Sequence, residues 1–396
     1  MAEQYRYYCE VFKGRPMPFA FVDLDCFDRN ADTVLKRAGD MPVCIASKSV
    51  RCAALLKRLQ ARASQFHSIL AYSAREAVYL CNQGFDNIIV AYPVWGEAAV
   101  SQVVDVIRAG KTLALMVDCV EQVELLDALG RENDTVIPLC MDVDMSSRYP
   151  GLHFGVLRSP IATPAQAVAL WEHIRRCDHV RLDGVMGYEA QIAGVQDTPP
   201  ASFLKNQLVR VLKKRSIREL AARRAAVVQA LQDAGCTLRF VNGGGTGSIE
   251  STIREQVVTE VTVGSGFYSP ALFDHYAQFK HEPAAGFAIE IVRKPAPTTY
   301  TCQGGGYVAS GAAGPDKLPK PWLPIGARLT ANEGAGEVQT PVVYEGPEPL
   351  RLGAPIFMRH AKGGELCERF NTLLLVSDGD VVDEVNTYRG DGLCFL

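Results

Sequence analysis

From about residue 43 to about residue 265 the chain alternates short apolar runs with segments of helical spacing, and no other feature restricts its fold as much. The runs are rich in β-branched residues and begin near Val43, Ile69, Ile88, Thr112, Val136, Val180, Leu238 and Glu260, which makes eight candidate strands. Side chains branched at Cβ pack well on a pleated surface, and a run apolar on both faces marks a strand covered on both sides. Between the third and fourth runs, Val100, Val103, Val104 and Ile107 recur at the spacing of one helical face. Between the seventh and eighth, residues 251–256 are short and polar, enough for one or two turns. Eight strand–helix units in roughly 200 to 250 residues are what a TIM barrel requires. A doubly wound open sheet is the competing architecture, because strand count alone does not separate the two.

At 396 residues the chain exceeds one ordinary core, so a second domain is expected. After Pro270 the texture changes. Prolines and the Gly304, Gly305, Gly306 run punctuate short segments such as FAIEIV, PVVYE and TLLLVSDGDVVDEV, without helical periodicity. That pattern predicts a β-rich domain. The strand-like segment FAFVDLDCF precedes the barrel and is expected to pair with that domain, followed by a helix over residues 29–38. The expected division is therefore an α/β barrel over residues 30–280 and a β domain over residues 281–396, with residues 1–29 lending the latter a strand.

Charge and composition remove several function classes. A formal net charge of −3, with 48% hydrophobic and 21% charged residues, gives no electrostatic case for nucleic acid or a membrane surface. The Lys and Arg cluster over residues 205–224 lacks interleaved aromatics and reads as a solvated helix face or loop. No apolar stretch is long enough for a signal peptide or a membrane span. The twelve cysteines, Cys44, Cys81, Cys119, Cys140 and Cys177 among them, are scattered and form no CxxC pair. Structural zinc sites need close pairs, so reduced thiols packed as small hydrophobes and a cytoplasmic location are expected.

In a TIM barrel the working groups collect where strands end, on the C-terminal face. The first strand ends in PVCIASKSVRC, which leaves Lys48 among small residues. A lysine partly desolvated there has a lowered pKa and can form a Schiff base with an aldehyde, whereas a merely structural lysine would snorkel at the rim. The seventh strand runs into RFVNGGGTGS, with Gly243, Gly244, Gly245, Thr246 and Gly247, and the eighth into TVGSGFYSP, with Gly264, Ser265, Gly266, Phe267 and Tyr268. Glycines let backbone N–H groups approach an anion, and loops after strands seven and eight are the usual phosphate site of this fold. One such loop is often only a tight turn. Two of them facing a strand-end lysine ask for a phosphorylated aldehyde. The sixth strand end offers Tyr188, Glu189 and Gln191, and the region after the fifth offers Asp142, Asp144, Arg148 and His153, for the cofactor ring or for capping and pairing.

The ordered set PVCIASKS, GYEAQ, NGGGTGS and GSGFY resembles the fold-type III pyridoxal-phosphate enzymes, in particular the D-threonine aldolase and D-serine dehydratase branch and the amino-acid deaminase/aldolase proteins allied to it. The resemblance extends over nearly the whole chain, to GGGYVASG and RHAKGGELCERFN. It implies pyridoxal 5′-phosphate on Lys48. Gly244, Gly245, Thr246, Gly264, Ser265, Gly266 and Tyr268 would hold the phosphate, and Tyr188 would lie near the pyridine ring. It also implies an alanine-racemase-like barrel with a C-terminal β domain, paired as a homodimer.

One departure stands out. The metal-dependent members carry His-x-Cys or His-x-Asp late in the second domain, and the matching stretch here reads His360, Ala361, Lys362. An ammonium donates and does not ligate, so no divalent metal is expected, and His360 and Cys367 are the side chains that would have to hold one. Lys362 could supply the positive charge instead. The activity implied is a lyase for a β-hydroxy-α-amino acid of D configuration at Cα, aldolase-like, by retro-aldol cleavage or transfer of the aldehyde, with Lys48 and His360 as catalytic groups. A dehydratase-type deaminase and a racemase are the alternatives within enzymes. A non-catalytic carrier of the cofactor resembles the barrel alone, and the second domain counts against it.

Overall fold

The computed structural model describes residues 2–200 and 203–396. The chain opens on α1 (Ala2–Val11), β1 (Phe19–Asp23) and α2 (Leu24–Ala38). The first half of the barrel follows as β2 (Val43–Ala46), α3 (Ala53–Arg62), β3 (Phe66–Ala71), α4 (Ala74–Asn82), β4 (Ile88–Val90) and α5 (Glu97–Arg108). Next come β5 (Leu113–Val117), α6 (Val120–Glu132), β6 (Ile137–Asp142), a hairpin of β7 (Ser147–Tyr149) and β8 (Leu152–Phe154), and α7 (Pro164–Ile174). The barrel ends with β9 (Val180–Gly187), α8 (Ala190–Ala193), α9 (Phe203–Asp233), β10 (Phe240–Gly243), α10 (Ile249–Thr252) and β11 (Glu260–Val263). Strands β2, β3, β4, β5, β6, β9, β10 and β11 close on themselves in that order, so the open-sheet alternative falls away. Four of the eight begin where the sequence puts them, and the others within about three residues.

Residues alternate between the two faces of each strand. Cys44, Leu70, Ile89, Ala114, Met116, Cys140, Met186 and Phe240 fill the barrel interior. Gly184 is required beside that plug, because a Cβ there would lie 2.3 Å from the Phe240 ring. The helices are started by side chains that satisfy orphan N–H groups: Asp23 accepts from Cys26 N, and Thr163 and Gln166 form a capping box before Pro164. The Asp23 cap explains why α2 begins at Leu24 and not at residue 29. All twelve cysteines are free thiols and most are buried.

The C-terminal sheet comprises β12 (Ala285–Ala296), β13 (Thr299–Gln303), β14 (Lys320–Leu323), β15 (Arg328–Leu329), β16 (Gln339–Val343), β17 (Pro355–Arg359), β18 (Thr372–Ser377) and β19 (Asp380–Asn386). β1 enters it as an inner strand, antiparallel to β12 and parallel to β18. The helix α1, which the sequence reading passed over, seals this sheet. Tyr5, Tyr8 and Phe12 recur at helical spacing, and the Tyr8 ring lies 5.1 Å from Phe21 and 5.7 Å from Phe357. Burying a side chain such as Phe12 contributes about 1.5–3 kcal/mol. The basic cluster in α9 is only partly a solvated face. Arg224 is fully buried, between the carboxylates of Glu189 and Glu255.

Candidate active site

Lys48 sits in a 3-10 turn, Ser47–Ser49, that follows β2 directly. The turn is fixed from both sides: Ser47 Oγ donates to Leu70 O at 3.1 Å, and Val50 N donates to Ser47 O at 2.8 Å. It presents Lys48 to a cavity of about 630 Å³ at the C-terminal mouth of the barrel. There Nζ donates to Tyr92 Oη at 3.1 Å and lies 5.7 Å from the Tyr188 ring centre. The Arg158 guanidinium lies over both phenol rings, 5.2 Å from Tyr92 and 5.6 Å from Tyr188, and makes no ion pair among the described residues. Burial pushes the Tyr92 phenol up, but the charges of Lys48 and Arg158 outweigh it and leave its pKa below the ordinary tyrosine value.

Gly244, Gly245, Thr246, Gly264 and Ser265 form the facing wall. Gly244 has φ +91°, a conformation open to glycine, and a Cβ on it would meet Val261 at 2.4 Å. A Cβ on Gly264 would lie 2.7 Å from Ser49 Oγ. Thr246 Oγ1 accepts from Gly266 N at 3.0 Å, which leaves its own O–H to donate. A second layer holds both loops. Arg37 donates to Thr246 O at 2.7 Å and pairs with Glu250, while His281 Nδ1 lies 2.8 Å from Gly266 O. Burial pushes the His281 pKa down to about 4, so the ring is neutral. Its Nδ1–H then donates to Gly266 O, and Nε2 accepts from Arg37.

The remaining wall comes from the β domain. Ala271 N donates to His360 O and Leu272 N to Ala361 O, which bolts the loop after β17 to the barrel. Gly364 packs so closely that a Cβ would lie 2.0 Å from Lys48 O. Lys362, Gly363, Gly364, Glu365 and Ser310 line the cavity. Lys362 Nζ donates to Ser310 Oγ at 3.0 Å, and Ser310 Oγ donates to Glu365 at 2.9 Å. Burial lowers the Lys362 pKa; Glu365 works against that, and the Lys48 charge adds to it.

The structure therefore gathers Lys48, Tyr188, Gly244, Gly245, Thr246, Gly264 and Ser265 around one cavity. Gly266 and Tyr268 stand behind it: the Gly266 N–H is taken by Thr246, and Tyr268 Oη donates to Val50 O at 2.9 Å. His360 does not line it either. Its ring is wholly buried, edge-on to Tyr268, with neither nitrogen hydrogen-bonded, and burial pushes its pKa down to about 3. Cys367 Sγ lies 3.3 Å from Val50 O. Among the described residues no group of three or more His, Cys, Asp or Glu is disposed to hold a metal ion.

Glu189 is consumed by the loop it supports, accepting from Gly244 N, Ser248 Oγ and Arg224. Gln191 donates to Met145 O, and Asp144 accepts from Ser146 N. Asp142 is buried, and that burial, with the Asp118 charge, pushes its pKa up to about 7 against the pull of Arg158. Arg148 and His153 lie on the β7–β8 hairpin, outside the cavity lining. Sequence reasoning missed Tyr92, Arg158, Ser310 and Arg37. Tyr92 carried a signal, since it follows a barrel strand at the face where working groups collect, and Ser310 lies within the GGGYVASG segment of the resemblance. A second cavity of about 450 Å³, between α9 and residues 250–257, contains neither a strand-end lysine nor a glycine loop.

Residues 22–271 match the family model described as alanine racemase, N-terminal domain. The chain belongs to that family. A search of curated protein sequences returns no match. Among solved structures, a D-threonine aldolase from Filomicrobium marinum superposes with a TM-score of 0.78 at 20% identity, covering 95% of each chain. A D-threo-3-hydroxyaspartate dehydratase from Delftia sp. HT23 gives 0.75 at 18% identity, covering 94% of this chain and 98% of that one. An alanine racemase from Clostridium difficile 630 gives 0.66 at 13% identity, covering 95% and 99%. The fold-type III resemblance and the barrel-plus-sheet architecture are thus borne out. No described helix is long and apolar enough to cross a membrane.

Proposed function

We propose that this member of the alanine racemase family is a pyridoxal-phosphate-dependent lyase that cleaves a β-hydroxy-α-amino acid of D configuration at Cα in the retro-aldol sense. The observation that carries the reading is the meeting of Lys48, Tyr188 and two glycine loops in one cavity. The residues present fit the cofactor: an amine for its aldehyde, an aromatic face for its ring, and a cradle in which a Cβ at Gly244 or Gly264 would collide with neighbours. When bound, the cofactor supplies a sink for the electron pair released at Cα. The D configuration rests on the resemblance and on the names of the first two structural relatives.

The chain's own groups then divide the work. Arg158, without a carboxylate partner, takes the substrate carboxylate in a charge-assisted hydrogen bond. Lys362, with its lowered pKa and its orientation fixed by Ser310, accepts the proton of the β-hydroxyl. That O–H bond breaks as the carbonyl forms and the Cα–Cβ bond opens, which releases an aldehyde. Lys48 delivers the proton that Cα requires to leave as glycine. His360 is reassigned from this proton path to packing beneath Tyr268, because its ring has no access to the cavity. No divalent ion is invoked.

The test is incubation of the cofactor-loaded protein with D-threonine, D-serine and D-alanine, assayed together for aldehyde, for ammonia with keto acid, and for inverted amino acid. Aldehyde with glycine from D-threonine is the expected result. Ammonia from D-serine as the main product would replace the aldolase reading with a dehydratase, and inverted alanine with a racemase.

A further inference from the structure

Among the described residues the Lys48 amine has one side-chain hydrogen-bond partner, Tyr92, and the reaction above does not employ it. Tyr92 stands two residues after β4, half-buried, with Oη 3.1 Å from Lys48 Nζ. The amine also lies 5.7 Å from the Tyr92 ring centre, so it reaches the oxygen at the rim and not the π face. We propose that Tyr92 is a catalytic residue that exchanges a proton with Lys48 Nζ. The inference rests on Lys48 being the reactive amine of the proposed lyase.

Titratable and charged groups from five elements face that pair. Lys48 comes from the end of β2, Arg158 from the loop after β8, Lys362 from the β-domain loop, and Tyr188 from the end of β9. Asp142, at the end of β6, is the carboxylate that faces this group. The charges of Lys48 and Arg158 bring the phenol below its ordinary range, while burial and the Asp142 charge act against them. The transfer balances within the pair. The Lys48 ammonium gives a proton to the Tyr92 phenolate, an N–H bond breaks, an O–H bond forms, and the electron pair stays on Nζ. Nζ is then free to attack an aldehyde, and it takes the proton back from the Tyr92 O–H before delivering one to Cα. Without Tyr92 the ammonium would have to lose its proton to water, in a cavity narrowed by the β-domain wall.

The proposal is tested with Tyr92→Phe, which keeps the ring and removes the oxygen, and with Tyr92→His, which restores an ionisable group. In the apo-protein, an ultraviolet titration of tyrosinate should show one phenol ionising below the rest in wild type and missing from Tyr92→Phe. In the loaded enzyme, general acid–base catalysis contributes about 10²–10⁴-fold. kcat for Tyr92→Phe should therefore fall by about a hundred-fold or more and lose its dependence on the phenol titration. Cofactor affinity should hold within about three-fold, and Tyr92→His should recover part of kcat. Wild-type turnover matched by Tyr92→Phe, with the same pH profile, would overturn the proposal. Absence of turnover in wild type would count against the lyase reading, while the apo titration still decides whether the Tyr92 phenol is the perturbed one.

Discussion

One wall of the Lys48 cavity comes from the loops after β10 and β11, the other from Ser310 and residues 362–365 of the C-terminal sheet domain, and the two are held in place differently. The barrel wall presents backbone and small hydroxyls. Its shape is fixed by glycines that admit no Cβ and by a buried layer of Arg37, Glu250 and His281. The domain wall presents the long Lys362 side chain, aimed by Ser310 and Glu365, with Arg158 reaching in from the hairpin side. A preformed anion cradle suits a group that stays bound. Long side chains that can pair with a carboxylate or take a proton suit one that comes and goes. On the proposed reading the barrel wall takes the cofactor and the domain wall the substrate, so substitutions on the two should separate affinity from turnover.

The largest effect is expected on the domain wall. Lys362→Met removes the base from the β-hydroxyl, so kcat should fall by about a hundred-fold or more, within the range for general acid–base groups. Cofactor affinity, measured by equilibrium dialysis, should change by less than about three-fold. On the barrel wall, Gly264→Val forces a side chain against Ser49 and Ala46. Overpacking costs about 1–3 kcal/mol, so cofactor affinity should drop by up to about a hundred-fold at 1.4 kcal/mol per decade. Thr246→Val keeps the shape and removes one donor to a dianion, worth about 1.5–3 kcal/mol, and affinity should fall by about ten-fold or more. The smallest effect is expected from exhaustive chelation, which should leave turnover unchanged. Activity lost to a chelator and restored by one divalent ion would remove Lys362 from its assigned role, and a divalent ion would have to enter the mechanism.

The same division explains what the sequence disclosed. The barrel wall was readable because its chemistry is local: a strand, then glycines, then a helix, with φ +91° at Gly244 leaving little choice of residue. Lys48 was readable for the same reason, as a cation among small residues at a strand end. On the domain wall Lys362 was readable but its partners were not, because Ser310 and Glu365 meet it only through the fold. Tyr268 and His360 show the converse error. They stand in the right segments, yet their side chains are buried in packing, since a motif fixes the backbone and not which way a ring turns. In α9 the basic run reads as solvated until Glu189 and Glu255, distant in sequence, close on Arg224. Even α1 carried its apolar spacing openly, but three aromatics on one short face mean little until the sheet they cover is known.

Both proposed walls depend on pyridoxal phosphate being carried by Lys48, and one measurement addresses that alone. The protein is loaded with pyridoxal phosphate, reduced with borohydride and digested, and the labelled peptide is located by mass. The label is expected at one site, on the peptide containing Lys48, and absent from Lys48→Ala treated in parallel. A label on another lysine, or equal labelling of the variant, would contradict the account.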